Sequence, residues 1–530
     1  MSKLNNNKWT CEFCGNVQEV VLEPEELPRG KVNDYLLAPP SKDQEDNNLV
    51  VFVVDISGSM TCTAPIPKGF GMFEVQTGNQ KTARMKEQEE LMRILNPEGL
   101  NQVLPGQRSD IQYVSRMECM QAAIQIQLEE LSKAQPNCRV SLITFNDDVN
   151  VIGDGFLDDQ RLVVTGDKLN HQEVLLEAGK KIDIKKLKPV SQSKERIAEQ
   201  LFVLKETGAT ALGPGLTLAV GMASQQQHSK IILCTDGLSN VGIGSVDNVQ
   251  TDTAKQFYNS LARFSKDKGV EISLIGIEGS DCGVTVLGDM ALITGGGVTI
   301  VKPLELQRKM RSIIDNPVLA TEVKVRAYTL PLYGFIKEAN EPKSILELDV
   351  GNVTADTDVG LAFGLKKQAT GGTQEVPFQV QISYKKTDGS KCLRVLSDSR
   401  PTTTSRSTAE KNADVALLAL EAIQAACSRA LLKKEYKEAR LNLFTMQHLI
   451  DRCAETDEQQ EEYDIFVKQV EELDLELKKL MDKPHDKISD QAAKVLYELK
   501  SASKSQFLCG KRKDVTKRKK HVGEIKMLKI

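Results

Sequence analysis

The chain has 530 residues, of which 40% are apolar and 27% charged, with a formal net charge of −4. That length is too great for one ordinary hydrophobic core and predicts about three domains. The composition is that of a soluble globular chain, and the near-neutral balance excludes a body held to nucleic acid or membrane by charge alone.

No window approaches the ~20 consecutive apolar residues of a membrane span. The N-terminal "MSKLNNNKW" has no apolar stretch of the kind a secretory signal needs. The 11 cysteines are mostly scattered singly among apolar neighbours, as in "IILCTDG" and "QAACSRA", which predicts reduced thiols and a cytoplasmic protein.

Taken in chain order, residues 1–48 are polar, carry "WTCEFCG", and run into "LLAPPSKDQEDNN", which reads as a linker. "NNLVVFVVD" is an unbroken β-branched run, the pattern of a strand buried on both faces. An insert, 61–114, follows, with a charged and helical middle in "KTARMKEQEELMRIL". "RMECMQAAIQIQLEELSKA" reads as an amphipathic helix and "RVSLITFNDDVNVIG" as a strand. "SKERIAEQLFVLKE" and "GPGLTLAVGMASQQ" read as helices, and "SKIILCTDG" as a second buried strand ending in a carboxylate. A helix at "DTAKQFYNSLARFSKDKG", a strand at "VEISLIGIEG", a helix at "VLGDMALITGG" and a strand at "GVTIVKP" complete the alternation.

Residues 49–317 are therefore expected to form a doubly wound α/β domain with a mostly parallel sheet, in which ligands bind at the carboxyl ends of the strands. Residues 318–404 alternate apolar and polar positions, as in "TEVKVRAYTL" and "PFQVQISYKK", and predict an antiparallel, sandwich-like β domain. Residues 405–505 read as a helical domain. Within it "EELDLELKKL" is too short a heptad run to imply a coiled-coil dimer and reads as a solvated helix face. A basic, flexible tail, 506–530, ends the chain.

The alternation "DISGS" raises the chemical question. Asp55, Ser57 and Ser59 follow a buried strand at every second position, so a tight loop can aim all three at one point, with Gly58 giving the backbone room to bend. "TGATALG" adds Thr210 in a loop before a helix, and "CTDG" adds Asp236 at another strand end. Hydroxyls and carboxylates are the oxygen donors that hard divalent ions take. The alternative is local: an aspartate at a strand end and serines in the next loop can simply cap a helix.

This set, D-x-S-x-S, then a loop threonine, then an aspartate, resembles the metal-ion-dependent adhesion site of the von Willebrand factor A family. The resemblance implies a Mg²⁺-type ion, with Mn²⁺ or Ca²⁺ as alternatives. Ser57, Ser59 and Thr210 would contact it, and Asp55 and Asp236 would act largely through water. An open coordination position would accept an aspartate or glutamate from a protein partner. The insert departs from the family pattern and would be either a lid over the ion or a decoration, with decoration favoured.

Cys11 and Cys14 have the spacing of a zinc knuckle. A structural zinc takes four ligands, and no second CxxC occurs, so zinc is possible only with an incomplete site. The motif W-x-C-x-F-C-G-N, then Tyr35 and an A-type domain, resembles the inner-coat subunits of the COPII vesicle coat. Those run zinc ribbon, A-type trunk, β-sandwich and helical domain. The A-type segment is also similar to the C-terminal part of circularly permuted Ras-like proteins, although no G-x-x-x-x-G-K-[ST] loop is present.

Catalysis finds no support in the motifs. His171, His228, His448, His485 and His521 are dispersed, and none lies near a nucleophile motif such as G-x-S-x-G. The tail lacks aromatic residues for base stacking, so no specific nucleic acid is expected; an acidic lipid or acidic protein is the contact its charge would favour. The expectation is a non-enzymatic scaffold or adaptor that captures an acidic partner residue through the ion. The alternative is a coat-like trafficking component in which the ion site is incidental. Oligomeric state is open.

Overall fold

The computed structural model describes residues 3–5, 8–21, 23, 28, 30–40, 48–65, 113–156, 162–246, 251–278, 282–336, 342–366, 375–482 and 488–509. The helix expected within the insert, and the tail beyond residue 509, lie outside these. The chain divides into two compact units, one formed by Asn47–Pro317 and the other by Met1–Asp46 together with Val318–Ile530.

At the N-terminus a small antiparallel sheet joins β1 (Lys3–Asn5), β2 (Lys8–Thr10) and β3 (Val17–Glu19). The next strand, β4 (Val32–Ala38), takes in Leu36, Leu37 and Ala38, which the sequence pattern assigned to a linker. The prolines that suggested a linker begin only at Pro39.

In the Asn47–Pro317 unit, β5 (Leu49–Asp55) is followed by β6 (Thr63–Pro65) and β7 (Tyr113–Ser115), the described ends of the insert. Helix α1 (Arg116–Ala134) leads to β8 (Arg139–Phe145), β9 (Val149–Gly153) and β10 (Leu162–Val164). "RVSLITFNDDVNVIG" is thus not one strand: β8 and β9 pair antiparallel as a hairpin, turning at Asn146–Asp148, whose short polar residues favour a turn over a strand. Then come α2 (Gln172–Lys180), α3 (Val190–Val203), α4 (Leu212–Ala223), β11 (Ser229–Thr235), α5 (Thr251–Asp267), β12 (Val270–Ile277), α6 (Val284–Thr294), β13 (Val298–Val301) and α7 (Leu306–Ile314).

The sheet order is β10-β9-β8-β5-β11-β12-β13. β8, β5, β11, β12 and β13 are parallel, while β9 and β10 are antiparallel at one edge. Successive side chains of a strand point to opposite faces. Val50, Phe52 and Val54 of β5 therefore pack with Met120 and Ile124 of α1, Ile197 of α3 and Met310 of α7 on one face. Helices α2, α4, α5 and α6 pack among themselves and on β11 and β12. β5 and β11 are adjacent at the centre, with Val54 level with Cys234, so their carboxyl ends emerge side by side.

The other unit holds β14 (Ala320–Thr329), β15 (Tyr333–Ile336), β16 (Ile345–Val353), β17 (Ala362–Leu365), β18 (Glu375–Lys386) and β19 (Lys391–Pro401). One antiparallel sheet runs β16-β14-β18-β19-β4, so the N-terminal strand supplies its edge. β15 and β17 form a second, small sheet, and Phe335, Phe363 and Phe378 stack between the two layers with centroids 5.6–5.7 Å apart.

The helical part comprises α8 (Arg406–Lys411), α9 (Val415–Ser428), α10 (Tyr436–Cys453), α11 (Asp457–Met481), α12 (Asp490–Lys500) and α13 (Lys504–Cys509). "EELDLELKKL" is not a solvated face: Leu473, Leu477 and Leu480 of α11 are buried in the bundle core with α9 and α10. Helix α13 likewise carries order beyond residue 505, because Phe507 is buried in that core. Among the described residues, Val415–Lys433 is long and apolar enough to cross a membrane, a length the sequence reading passed over; Val415, Leu420, Ile423 and Ala430 pack in the same core, while Leu417 and Leu432 are exposed.

Candidate functional site

The site lies where β5 and β11 end. Both strands are fully buried, so a polar group at their ends has only protein and whatever the loops admit as partners. Asp55 is completely buried. Its Oδ1 accepts from the backbone N–H of Ser57 at 2.9 Å, and its Oδ2 accepts from Thr235 Oγ1 at 2.6 Å. Burial pushes the Asp55 carboxyl up to about 6; the Ser57 and Thr235 hydrogen bonds oppose that rise, and the neighbouring Asp236 charge adds to it.

Ser57 and Ser59 come together as the alternation predicts, with Oγ atoms 3.0 Å apart. Ser59 Oγ donates to Asp236 Oδ1 at 2.6 Å. Gly58 is not the hinge that the sequence suggested: its φ is outside the left-handed region, and a Cβ there would make only an ordinary contact with Gly208 O at 3.6 Å. The turn is held instead by its neighbours. Gly58 N–H donates to Gly208 O at 3.1 Å, and Thr207 N–H donates to Ile56 O at 2.9 Å.

Those bonds stitch the serine loop to the loop that carries Thr210. Gly208 needs its glycine, because its φ is +79° and a side chain would run into Asp147. Thr210 is buried, its N–H donates to Asn240 Oδ1 at 2.8 Å, and its carbonyl accepts from Asn240 N–H at 3.1 Å. Asn240 follows β11, so the threonine loop is tied both to the serine loop and to the loop after Asp236.

Motif reading missed Thr235 and Asn240, which hold Asp55 and Thr210, and it missed the charged partner of the site. Arg116, the first residue of α1, places Nη1 2.5 Å from Asp236 Oδ2. Both partners are out of solvent, with side-chain exposures of 8% for Arg116 and 0% for Asp236. The insert delivers it: β6 and β7 pair antiparallel, so the chain returns beside the serine loop, and Arg116 N–H donates to Cys62 O at 2.9 Å. A signal existed in the sequence. A cation in a helix's first turn opposes the helix dipole and calls for a nearby anion. Here Ser115 and Glu118 close a capping box around that turn, and Asp236 takes the guanidinium.

A divalent ion fits this site in donor type and not in charge. Two hydroxyls converge beside a carboxylate, as such an ion requires. Yet all four carboxylate oxygens already accept from protein groups, and the one on Asp236 that faces α1 has a guanidinium as its partner.

At the N-terminus, Cys11 and Cys14 sit on one tight turn, with Cys11 N–H donating to Asn16 O at 2.8 Å and Gly15 N–H to Cys11 O at 2.9 Å. Burial raises the Cys11 thiol, but hydrogen bonds from the Cys14 and Phe13 backbone and from the Cys14 thiol outweigh it and hold the thiol below its ordinary value. Among the described residues no cluster of three or more His, Cys, Asp or Glu is placed to hold a metal, so this pair meets half of a tetrahedral zinc's needs. Cys119, Cys138, Cys234 and Cys427 are buried, and burial pushes each thiol up to about 12, which makes them packing residues rather than nucleophiles. Among the histidines, His171 pairs with Asp167 at an exposed position 3.2 Å away, outside the site, and His485 and His521 lie outside the described residues.

Residues 110–316 match the family model of the Sec23/Sec24 trunk domain, a stretch that includes Arg116, Thr210 and Asp236 and leaves out the serine loop. The chain is 31% identical over 523 residues to "Circularly permutated Ras protein 1" of Dictyostelium discoideum, an alignment covering 96% of this chain and 59% of that protein. The chain thus spans about three-fifths of the length of that relative. The human COPII-coat protein Sec24c has a similar fold, with a TM-score of 0.61 at 14% identity, over 96% of this chain and 67% of that one. A von Willebrand factor type A structure from Catenulispora acidiphila gives a TM-score of 0.44 at 14% identity, covering 86% of this chain and 89% of its own.

Proposed function

We propose that this chain is a non-catalytic, coat-type scaffold that acts at the cytoplasmic side of a membrane by binding other proteins. The observation that carries this reading is the succession of parts. A cysteine knuckle, an A-type α/β unit, a β-sandwich and a helical bundle follow the fold of a COPII-coat protein across 96% of the chain. The trunk-family match at residues 110–316 supports it independently. The buried, internally paired site at the strand ends is architectural in this reading, and the relative's Ras-related name adds no nucleotide role, since the chain has no phosphate-binding loop.

The finer reading drawn from the motif is capture of a partner's aspartate or glutamate through a Mg²⁺-, Mn²⁺- or Ca²⁺-type ion. Convergence of Ser57 and Ser59 at 3.0 Å favours it. The Arg116–Asp236 pair weighs against it, because the guanidinium already supplies the positive charge. When bound, such an ion would give an electrophilic point for a carboxylate; Ser57, Ser59 and Thr210 would hold it.

The test is recovery of complexes from cytosol on the tagged full chain, and its flotation with acidic liposomes, each with and without chelator. The coat-type reading expects partner complexes and membrane recruitment that survive chelation and Ser57→Ala. Loss of the same partners under both treatments would favour the ion-bridged adaptor. Turnover of any substrate abolished by Asp236→Ala would overturn both.

A further inference from the structure

We infer that Arg116 is a built-in counter-cation that takes the place of the divalent ion in this site, so that the intact chain binds no metal there and removal of the guanidinium creates a metal site. This goes beyond the coat-type reading and does not depend on it.

Asp55 and Asp236 are both fully buried at the ends of adjacent strands, and two carboxylates withdrawn from water require a positive partner. That partner can come from solution as an ion or from the chain as a side chain. The chain supplies it. Arg116 Nη1 lies 2.5 Å from Asp236 Oδ2, and Ser59 Oγ lies 2.6 Å from Asp236 Oδ1, so the carboxylate is divided between a guanidinium and one of the serines of the motif. An ion drawn in by Ser57, Ser59 and Asp236 would meet a like charge within the same few ångströms.

The arginine is also held in place. Its backbone N–H bonds Cys62 O at 2.9 Å, the Ser115–Glu118 capping box fixes the first turn of α1, and Met117 and Met120 anchor that helix in the core. A guanidinium is never deprotonated in a protein, so its charge is permanent where an ion's occupancy is not. The D-x-S-x-S pattern is therefore kept in sequence while its cation is internal.

The experiment uses the full chain and Mn²⁺ as probe, followed by titration calorimetry and electron paramagnetic resonance, with thermal unfolding in Mg²⁺ or in chelator alongside. Wild type and Arg116→Lys are expected to bind no Mn²⁺ below millimolar concentration and to melt at the same temperature in both buffers. Arg116→Gln and Arg116→Met are expected to gain saturable Mn²⁺ binding at least tenfold tighter, to melt higher in Mg²⁺ than in chelator, and to lose both gains when Ser57→Ala is added. Micromolar Mn²⁺ binding by wild type that Ser57→Ala removes would overturn the inference. So would folded Arg116→Gln and Arg116→Met chains that bind no Mn²⁺, or chains that fail to fold in Mn²⁺ as they do in chelator.

Discussion

Asp236 is where the fewest atoms decide the most. It is fully buried and divided between Ser59 and Arg116, so removing it strands a guanidinium that is itself nearly solvent-free. Asp236→Ala is expected to cost about 3–5 kcal/mol in urea unfolding, the range for an orphaned buried charge. Ser59→Ala removes a single hydroxyl donor and is expected to cost nearer 1–2 kcal/mol. In a double-mutant cycle, Arg116→Met with Asp236→Leu is expected to recover most of the loss, because an apolar pair of similar volume needs no partner. Additive costs would show that the two side chains do not interact. Gly208→Ala should cost about 1–3 kcal/mol by the same assay, since that position has φ +79° and Asp147 fills the space a methyl would take. These positions were legible to different degrees. The alternation at 55, 57 and 59 names its own residues because a turn after a strand has few ways to point them. Arg116 comes from beyond an insert, and no spacing rule links it to Asp236, 120 positions away.

Among the elements, β4 shows how a short segment can be misread. It is an edge strand with most of its side chains exposed, and it is seated by cross-strand pairs rather than by burial. Arg394 grips Asp34 with both Nε and Nη2, at 2.7 and 2.8 Å, and Lys31 reaches Asp398 at 2.6 Å. The Arg394 hydrogen bonds hold the Asp34 carboxyl below the usual carboxylate range. A carboxyl lowered in the folded state adds stability above its unfolded pKa, near 3.9, and gives it up as pH falls through the lower folded value. The protection of β4 amides, measured as exchange relative to the intrinsic rate at each pH, is therefore expected to fall below about pH 4, and Arg394→Ala should abolish that fall. The effect is small, at most about 1 kcal/mol, because both side chains are half exposed and solvent screens them. Equal protection at both pH values would show the fork to be idle. The helices of the A unit were easier to read, since apolar periodicity and the buried runs of β5 and β11 report their own faces.

For the whole molecule, the two ends of the chain belong to one unit: Met1–Asp46 folds with Val318–Ile530, and Asn47–Pro317 is the other. Residues 47–317 expressed alone are expected to unfold in one cooperative step, since the α/β sheet and its helices are complete within them. Residues 318–530 alone would leave the β19 edge unpaired, a template for aggregation. A peptide spanning residues 28–40, added in trans, is expected to raise that fragment's melting temperature and solubility by completing the sheet. No response to the peptide would mean that β4 is an ornament.

By itself the sequence determined the kinds of element, the A-type alternation, the β-rich and helical segments after residue 317, and that the Ser57 and Ser59 hydroxyls come together after β5. All of these follow from local periodicity and from turns whose side chains have only short distances to travel. Only the tertiary structure decided that β4 closes a sheet some 350 residues away, that "EELDLELKKL" faces a core, and that the cation beside Asp236 is an arginine. Each of these depends on which distant segments share a surface, and the free energy that chooses among such pairings comes from burial and charge neutralisation across the fold, which no local pattern contains.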